Sequence, residues 1–420
     1  MINKKRVVPQ LRFRGFTDDW EQRKLGEIAI RVRGNDGRMN LPTLTISAGN
    51  GWMDQRDRFS QNIAGKEQKN YTLLRQGELS YNHGNSKLAQ FGAVFELESY
   101  NEALVPRVYH SFSVTADAQP KFIEQMFATH RPDRELRKLV SSGARMDGLL
   151  NINYDDFMGI KVWLPSMAEQ QAIAGLLVKL DNTIALHQRK HELLLKLKQA
   201  YLQKLFPKYG NKIPELRFAG FTDDWEQRKF SWMLDVDDGI RRGPFGSALK
   251  KSLFVPESPY AVYEQQNAIY DRYDTRYNIS EKTFHELSKF EIRPGDFIMS
   301  GAGTIGRISR VPEGIKTGVF NQALIRFKID DNKMDAEYFL QLIRSPQMQR
   351  RLTGANPGSA ITNLVPMSEV KKWKLFVPTK AEQKQIARSL TLLDDAIALH
   401  QERLDQLKQL KKAYLQKLFV

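Results

Sequence analysis

The sequence predicts an α+β protein made of two related blocks, each followed by a long helix. Two repeats carry this prediction. A 16-residue segment occurs twice, 205 residues apart, and Pro9–Lys24 and Pro214–Lys229 agree at 14 of 16 positions. A 42-residue segment also occurs twice, 213 residues apart, and Pro165–Phe206 and Pro378–Phe419 agree at 24 of 42 positions without a gap. The order of segment, block and helix is therefore repeated, which predicts a pseudo-twofold internal repeat.

The first repeated element is the short segment, which is rich in aromatic residues. Its Thr17, Asp18 and Asp19 predict a helix N-cap followed by acids in the first turn. We expect the first copy to lie beside the end of the second long helix, near Phe419, with its aromatic rings packed on a helix. Stacking on nucleic-acid bases is the alternative role for such rings. The aromatic residues are Phe13, Phe16, Trp20, Phe218, Phe221 and Trp225.

The two blocks between the repeats have the pattern of α+β domains. The run Gln76–Tyr81 in block one matches Pro294–Met299 in block two, so the blocks share a framework although their loops differ. Strands are predicted where apolar and β-branched residues cluster, and each block then continues into a helical pattern. The predicted strands cover 92–98, 106–114, 296–300, 304–311 and 320–329, and the predicted helical stretches cover 120–140 and 335–352.

The repeated 42-residue segment predicts a long helix. Good helix formers dominate it, and its apolar residues recur at spacings of three and four over about 33 residues, or roughly 50 Å. A lone helix would leave this stripe in water, so we expect the two copies to pack on each other as an antiparallel coiled coil. The predicted seam positions are Ile173, Leu177, Leu180, Ile184, His187, Leu194, Tyr201, Leu205, Ile386, Leu390, Leu393, Ile397, His400, Leu407, Tyr414 and Leu418.

His187 and His400 occupy the same seam position in the two copies. The simplest interpretation is a buried polar residue that sets the register of the coiled coil. A metal-binding or proton-linked role is the alternative. His191 lies four residues after His187, but its equivalent in the second copy is Leu404, so a pair of histidines at helical spacing is not repeated.

Charge and composition narrow the class of partner. The chain has 64 Lys and Arg against 48 Asp and Glu, a formal net charge of +16, which favours a polyanion. It has no cysteine, so disulfides, thiolate metal sites and cysteine nucleophiles are excluded. Without an apolar run of membrane-spanning length, we expect a soluble, cytoplasmic protein that binds no membrane.

One glycine motif has an ambiguous meaning. Gly301–Gly306 reads G-x-G-x-x-G after a predicted strand, but an alternating, strand-like run follows it instead of the helix that dinucleotide binding needs. A turn that lets the backbone approach phosphate and a plain hairpin turn are the better interpretations. Because the common ATPase, metalloprotease, methyltransferase and nuclease motifs are missing from the sequence, we expect no catalytic residue and no metal site in this chain.

Polar, cation-rich loops in both blocks form the candidate DNA-binding surface. Arg reads guanine and Asn or Gln reads adenine through paired hydrogen bonds, whereas Lys holds phosphates without reading sequence. An ordinary solvated loop is the alternative for each of these residues. The candidates in block one are Arg31, Arg33, Arg56, Arg58, Tyr81, Asn82, His83, Asn85, Lys87 and Arg145. The candidates in block two are Arg241, Arg242, Ser247, Lys250, Lys251, Ser300, Thr304, Arg307, Asn321, Gln322, Ser359, Thr362 and Asn363, of which Asn321 and Gln322 are expected to open a strand.

Several motifs together point to a known family. The duplicated helices end in AYLQKLF, the short segments read P-x-L-R-F-x-G-F, and block two contains GPFGSALKK, SGAGTIGRIS and NQAL. In this combination, over essentially the whole chain, the sequence resembles the specificity subunits of type I restriction-modification systems. Block one departs from the family's commoner wording, because it has Tyr81–Lys87 where block two has the glycine-rich loop.

The resemblance implies a role and a set of partners. The blocks would be target recognition domains that each read one half of a split, asymmetric site in double-stranded DNA. The paired helices would be a spacer that docks two modification subunits, which methylate adenine with S-adenosylmethionine. Restriction subunits would add translocation and cleavage driven by ATP and Mg, and no cofactor would bind this chain. The implied domains are a docking segment (1–24), recognition domain one (25–164), spacer helix one (165–210), a second docking segment (211–229), recognition domain two (230–377) and spacer helix two (378–420).

Two rival functions are compatible with the charge. A two-headed transcription regulator or architectural protein would bind DNA without any methyltransferase. A self-sufficient nuclease or methyltransferase would show activity as the purified chain with Mg or a methyl donor.

Overall fold

The computed structural model describes residues 6–59, 65–84, 86–140, 149–208, 210–245, 248–354 and 364–420. The chain forms two compact units. Unit 1 comprises Met1–Gln188 with Glu402–Val420, and unit 2 comprises Arg189–Gln401. None of the helices formed by the described residues combines the length and apolar character that crossing a membrane requires.

Unit 1 contains ten strands, four whole helices and one part of each long helix among its described residues. Its strands are β1 (Glu21–Lys24), β2 (Ala29–Val32), β3 (Leu44–Ser47), β4 (Gly51–Asp54), β5 (Thr72–Arg75), β6 (Leu79–Asn82), β7 (Ala93–Glu96), β8 (Glu102–Val105), β9 (His110–Val114) and β10 (Lys161–Leu164). Its helices are α1 (Gln55–Phe59), α2 (Pro120–Ala128), α3 (Asp133–Leu139), α4 (Tyr154–Met158) and the first part of α5 (Met167–Lys204).

Unit 2 contains the remaining described elements. Its strands are β11 (Glu226–Lys229), β12 (Ile240–Arg242), β13 (Phe254–Val255), β14 (Tyr260–Tyr263), β15 (Tyr277–Ile279), β16 (Glu291–Ile292), β17 (Phe297–Ser300), β18 (Ile308–Arg310), β19 (Gly318–Phe320), β20 (Leu324–Phe327) and β21 (Lys374–Val377). Its helices are α6 (Gln265–Tyr270), α7 (Glu281–Glu286), α8 (Ala336–Arg344), α9 (Pro346–Leu352), α10 (Met367–Val370) and the first part of α11 (Lys380–Lys417), while the end of α11 belongs to unit 1.

The same four-stranded antiparallel sheet forms the centre of each unit. Its strand order is β2-β9-β6-β7 in unit 1 and β12-β20-β17-β18 in unit 2. The turn before the third strand is also the same, because Gly77 and Gly295 adopt positive φ angles of 84° and 90° and donate backbone hydrogen bonds to Leu97 and Val311. The structure thus confirms the shared framework that the sequence predicts.

The sheets that flank this framework differ between the units. Unit 1 adds two small two-stranded sheets, β3-β4 and β5-β8. Unit 2 instead adds one five-stranded sheet, in the order β13-β15-β14-β19-β16. The sequence did not predict this second sheet, whose strands are only two to four residues long.

Two helical stretches predicted as continuous are each divided into two helices. In unit 2 the division falls at Ser345, whose side chain accepts a hydrogen bond from the backbone N–H of Met348 and so caps α9, with Pro346 in its first turn. In unit 1 the break lies between α2 and α3, where His130 has a positive φ angle of 60°. A proline and a left-handed residue each end the preceding helix, since neither continues its hydrogen bonds.

A two-stranded ribbon closes each block. Strand β1 pairs with β10 in unit 1, and β11 pairs with β21 in unit 2, both antiparallel and both with four residue pairs. The predicted helix N-cap at Thr17 is therefore wrong, because the residues from Glu21 onwards form a strand. A partner strand distant in sequence outweighs the local capping signal.

Each unit packs one part of α5 against one part of α11. In unit 2, Lys198 pairs with Asp394, and Leu205 shares a core cluster with Ile386, so the two helices run antiparallel. In unit 1 the equivalent pair is Lys411 with Asp181, at 2.6 Å between Nζ and Oδ1. Every predicted seam residue is buried or half-buried. The predicted α+β class with two long antiparallel helices is confirmed.

The repeated short segments dock on the ends of these helices. In unit 1 the backbone N–H of Leu11 donates to the carbonyl of Lys417, and the Trp20 ring lies 6.3 Å from that of Phe419. In unit 2 the backbone N–H of Leu216 donates to the carbonyl of Lys204. The expected position near Phe419 is confirmed, and the buried Trp20 has a packing role.

Candidate nucleic-acid interface

Three loops of unit 2 meet at one end of its four-stranded sheet. They follow β12, connect β17 to β18, and precede β20. The backbone N–H of Gly243 donates to the carbonyl of Leu324, and that of Gly301 donates to the carbonyl of Ala323. We call the described residues of these loops, 242–245, 248–251, 301–307 and 321–323, the unit 2 loop surface. Arg242, Lys250, Lys251, Thr304, Arg307 and Gln322 are exposed on it.

The closest approach within this surface requires a glycine. A Cβ atom placed on Gly243 would lie 1.9 Å from the carbonyl oxygen of Asn321, far inside contact distance. The loop after β12 therefore rests directly on the 321–323 turn. The Asn321 side chain accepts a hydrogen bond from the backbone N–H of Ala323, so its carbonyl oxygen already holds this turn. Asn321 and Gln322 do not open a strand as predicted, because β20 begins only at Leu324.

The glycine motif forms a hairpin turn. It connects β17 to β18, and a strand follows it where dinucleotide binding would need a helix. The Ser300 hydroxyl donates to the carbonyl of Thr304 and accepts from the backbone N–H of Arg307, and the residue is fully buried. Ser300 was predicted to contact DNA, and this prediction is wrong because its side chain holds the turn from inside.

Arg241 is tied into an ion-pair network beneath the exposed loop. Its guanidinium donates to Asp238 at 2.7 and 3.0 Å, and Asp238 also pairs with the buried Arg326. Burial works against the ionised carboxylate, but the hydrogen bonds from both arginines outweigh it and lower the pKa of Asp238. Arg241 is thus half-buried and bonded, while its neighbour Arg242 is exposed.

Unit 1 presents loops at the same end of its own sheet. They follow β2, connect β6 to β7, and precede β9. We call the described residues of these loops, 31–43, 83–84, 86–92 and 106–109, the unit 1 loop surface. Arg33 and Lys87 are exposed on it, and the exposed Arg31 lies over the Tyr154 ring at 4.0 Å.

Two polar candidates converge on one carbonyl beside this surface. The Arg58 Nη1 donates to the carbonyl oxygen of Ile46 at 3.0 Å, and the Asn82 Nδ2 donates to the same oxygen at 3.3 Å. Arg58 is otherwise exposed, as is Arg56 on the same short helix α1. The structure therefore brings Arg58 and Asn82 together, although they are distant in the sequence.

Two candidates of unit 1 belong to its core. Tyr81 is fully buried, stacks on Phe157 with ring centroids 4.2 Å apart, and donates its hydroxyl hydrogen bond to the carbonyl of Phe91. His83 is 7% exposed, and its ring lies 4.9 Å from that of His110. The predicted DNA contacts of Tyr81 and His83 are therefore wrong, because both rings are enclosed by other aromatic side chains.

His110 is held neutral in this aromatic cluster. Its Nε2–H donates to the carbonyl of Ile152 at 2.8 Å, since only the ring nitrogen can supply the proton. Burial above all lowers the pKa of His110, the Ile152 bond opposes it, and the nearby His83 and Arg31 add to it, so that the pKa is about 4.

Some predicted contacts lie outside the described residues. These are Asn85, Arg145, Ser247, Ser359, Thr362 and Asn363.

One ion pair that occurs in both units was not predicted from the sequence. In unit 2, Arg217 makes a two-pronged ion pair with the buried Glu382 in the first turn of α11, at 2.8 and 2.9 Å. Arg12 and Glu169 form the same pair in unit 1, at 2.8 and 2.7 Å. The signal was available, because this Arg and this Glu occur in both copies of the repeats.

Comparison with known proteins gives a consistent class. Residues 244–409 match a family model described as the type I restriction modification DNA specificity domain. The type I restriction enzyme MjaVIII specificity subunit of Methanocaldococcus jannaschii is 22% identical over 285 residues, which cover 65% of this chain and 64% of that protein, less than two thirds of its length. The putative type I restriction enzyme MjaX specificity subunit of the same organism is 21% identical over 416 residues, 94% of this chain and 91% of that protein.

A solved structure agrees in fold. The crystal structure of the type I restriction-modification system S subunit from M. genitalium has a TM-score of 0.58, with 14% identity and 99% of both chains covered. The family model and both named relatives belong to the class of type I specificity subunits, and the solved structure shares the fold of this chain. The resemblance drawn from the sequence is thereby confirmed, and residues 244–409 match the type I restriction modification DNA specificity domain.

Proposed function

We propose that the chain is the non-catalytic DNA-reading subunit of a type I restriction-modification system. Unit 1 reads one half of a split, asymmetric site in double-stranded DNA, and unit 2 reads the other half. The chain then directs methyltransferase and restriction subunits to that site. It works in the cytoplasm, where its DNA partner is found.

One observation carries this proposal. The same end of the same four-stranded sheet holds exposed cations in both units, but on loops that differ in sequence and length. A shared framework fixes how each loop surface is presented, and the loops set what it contacts. Two similar sheets that carry different loops are what we expect of two units that bind different DNA sequences. The net charge of +16 favours DNA as the partner.

The exposed side chains supply both kinds of DNA contact. Arg242, Arg307 and Gln322 have the donor geometry that reads guanine or adenine edges in the major groove. Lys250 and Lys251 are compact cations that hold phosphates and set position without reading bases. In unit 1 the corresponding groups are Arg31, Arg33, Arg56, Arg58 and Lys87.

The partners follow from the same proposal. Two modification subunits bind the chain and carry S-adenosylmethionine, and restriction subunits carry ATP and Mg. The chain itself binds none of these cofactors. Support comes from the relatives, which are named as specificity subunits of type I restriction enzymes.

Methylome sequencing tests the proposal. Cells that carry the system with this chain should show a methylated, two-part motif, and cells that lack only this chain should lose it. Methylation that persists without the chain would refute the proposal. A pull-down that recovers DNA but no modification subunit would favour a stand-alone DNA-binding regulator.

Two variants then distinguish contacts to bases from contacts to phosphates. Arg242→Ala should cost about 1–3 kcal/mol at one half-site and relax the motif there, because a base contact is lost. Lys250→Ala should weaken binding to all sequences alike and reduce the slope of affinity against salt by about one ion. If both variants lose DNA affinity equally for all sequences, the unit 2 loop surface contacts only phosphates.

A further inference from the structure

One apolar side chain stands out on the unit 2 loop surface. Phe245 is 92% exposed, although burying a phenylalanine ring is normally favourable. It lies in the loop after β12, between the exposed Arg242 and the exposed Lys250. Three exposed cations, Arg242, Lys250 and Lys251, lie on the same loop, while Arg241 is paired with Asp238.

The backbone on both sides of Phe245 is anchored. Before it, Gly243 donates to the carbonyl of Leu324 and Pro244 is buried. After it, the backbone N–H of Ala248 donates to the carbonyl of Phe245 at 2.8 Å, and Leu249 is packed in a core cluster. The described residues on both sides of the ring are therefore attached to the rest of unit 2.

The surroundings of the ring are those of a base-reading surface. Gly243 touches the 321–323 turn, which carries the exposed Gln322, and Gly301 bonds the same turn from the glycine-rich loop. Aromatic rings stack on bases, and apolar side chains inserted between base steps unstack and bend the duplex. Cations beside such a ring hold the phosphates that flank the opened step.

We propose that Phe245 is a stacking wedge that enters the DNA and contacts an unstacked base in the half-site read by unit 2. This inference rests on the proposed function, because it needs unit 2 to face DNA. The ring then loses its contact with water only in the complex, which explains why it is exposed in the free chain.

The test uses the full chain in complex with its modification subunits, on a duplex carrying the motif found by methylome sequencing. The fluorescent adenine analogue aminopurine is placed at successive positions of the half-site, since its emission rises when it unstacks. The wild-type complex should show a rise at one step. Phe245→Ala should abolish that rise and weaken binding about tenfold, and Phe245→Tyr should keep both, because it keeps an aromatic face.

Val236 provides the matched control. It is 87% exposed on unit 2 but lies among Asp235, Asp237 and Asp238, where DNA phosphates would be repelled. Val236→Ala should change neither the binding nor the emission. Both alanine variants remove an exposed side chain, so neither should disturb folding.

Three other outcomes would overturn the inference. If Phe245→Ala keeps the affinity and the emission rise, the ring is not a wedge. If it keeps the emission rise but no longer co-purifies with the modification subunits, the ring contacts a protein. If the wild-type complex itself fails to bind the motif, the proposed function fails first, which is distinguishable from failure of the wedge alone.

Discussion

The repeated docking segments offer a matched pair of mutations. In unit 2 the indole N–H of Trp225 donates to the Glu382 carboxylate at 3.2 Å. In unit 1 the equivalent Trp20 N–H is buried and has no hydrogen-bond partner among the described residues. Both tryptophans are 3% exposed. Trp225→Phe and Trp20→Phe therefore remove the same ring volume from similar sites but differ in one hydrogen bond.

The difference between the two substitutions isolates that bond. The loss of packing is common to both and cancels. A hydrogen bond to a charged group is worth about 1.5–3 kcal/mol, and removing an unbonded buried N–H costs nothing or is favourable. Trp225→Phe should therefore destabilise unit 2 by about 2 kcal/mol more than Trp20→Phe destabilises unit 1.

Hydrogen exchange resolved by peptide measures this in the full chain. Strand β21 reports on unit 2 and strand β10 on unit 1, and about 2 kcal/mol corresponds to roughly a thirtyfold faster exchange. This measurement does not assume that the two units unfold together in a single transition, which they need not do. Equal acceleration in β10 and β21, or a greater one in β10, would refute the reasoning.

Three further outcomes follow from the structure. Replacing residues 25–164 with a foreign block should change one half of the methylated motif and leave the other half unchanged, and changes in both halves would refute modular reading. The pKa of His110 is about 4 when folded and about 6.5 when unfolded, so the unfolded state binds the proton first as the pH falls. The contribution of His110 to the stability of unit 1 should thus fall by about 2 kcal/mol between roughly pH 7 and pH 5. Burial raises the pKa of Glu96 to about 7, which adds a contribution of opposite sign over the same range. The fall is therefore measured as the difference between the wild type and His110→Gln, by hydrogen exchange in β10, and an equal pH dependence of the two proteins would contradict it. A fragment of residues 1–211 should dimerise, as light scattering can detect.

The sequence predicted the elements that repeat strongly. Helices α5 and α11 were expected within 165–206 and 378–419, and both were found to be 38 residues long inside those limits. Spacing of three and four over so many turns is a robust signal, because each added turn repeats the evidence. Strand β17 was likewise predicted at 296–300 and found at 297–300.

Burial by distant partners could not be predicted from local patterns. Tyr81 reads as a polar loop residue beside Asn82, but Phe157 covers its ring. Ser300 reads as a hydroxyl at the edge of a glycine loop, but the loop folds back over it. The exposure of the cationic side chains was easier to predict from the sequence, since a solvated charge needs no partner to stay at the surface.

The fragment prediction depends on which residues complete unit 1. Its core includes Leu407 of α11 and Leu418 and Phe419, which follow that helix, and Asp181 pairs with Lys411. The repeat provides the same groups on and directly after α5, namely Leu194, Lys198, Leu205 and Phe206.

A second copy of the 1–211 fragment can therefore supply what unit 1 lacks, and it can do so reciprocally, which requires a twofold axis. One position opposes this: Leu404 is 3% exposed, and its equivalent is the polar His191, so the dimer would place a histidine from each copy where unit 1 has a buried leucine. With modification subunits, the dimer should methylate an inverted repeat of the first half-site. A fragment that stays monomeric at tens of micromolar would refute the dimer. Methylation of the original asymmetric site by the fragment would refute the twofold-symmetric arrangement of block one.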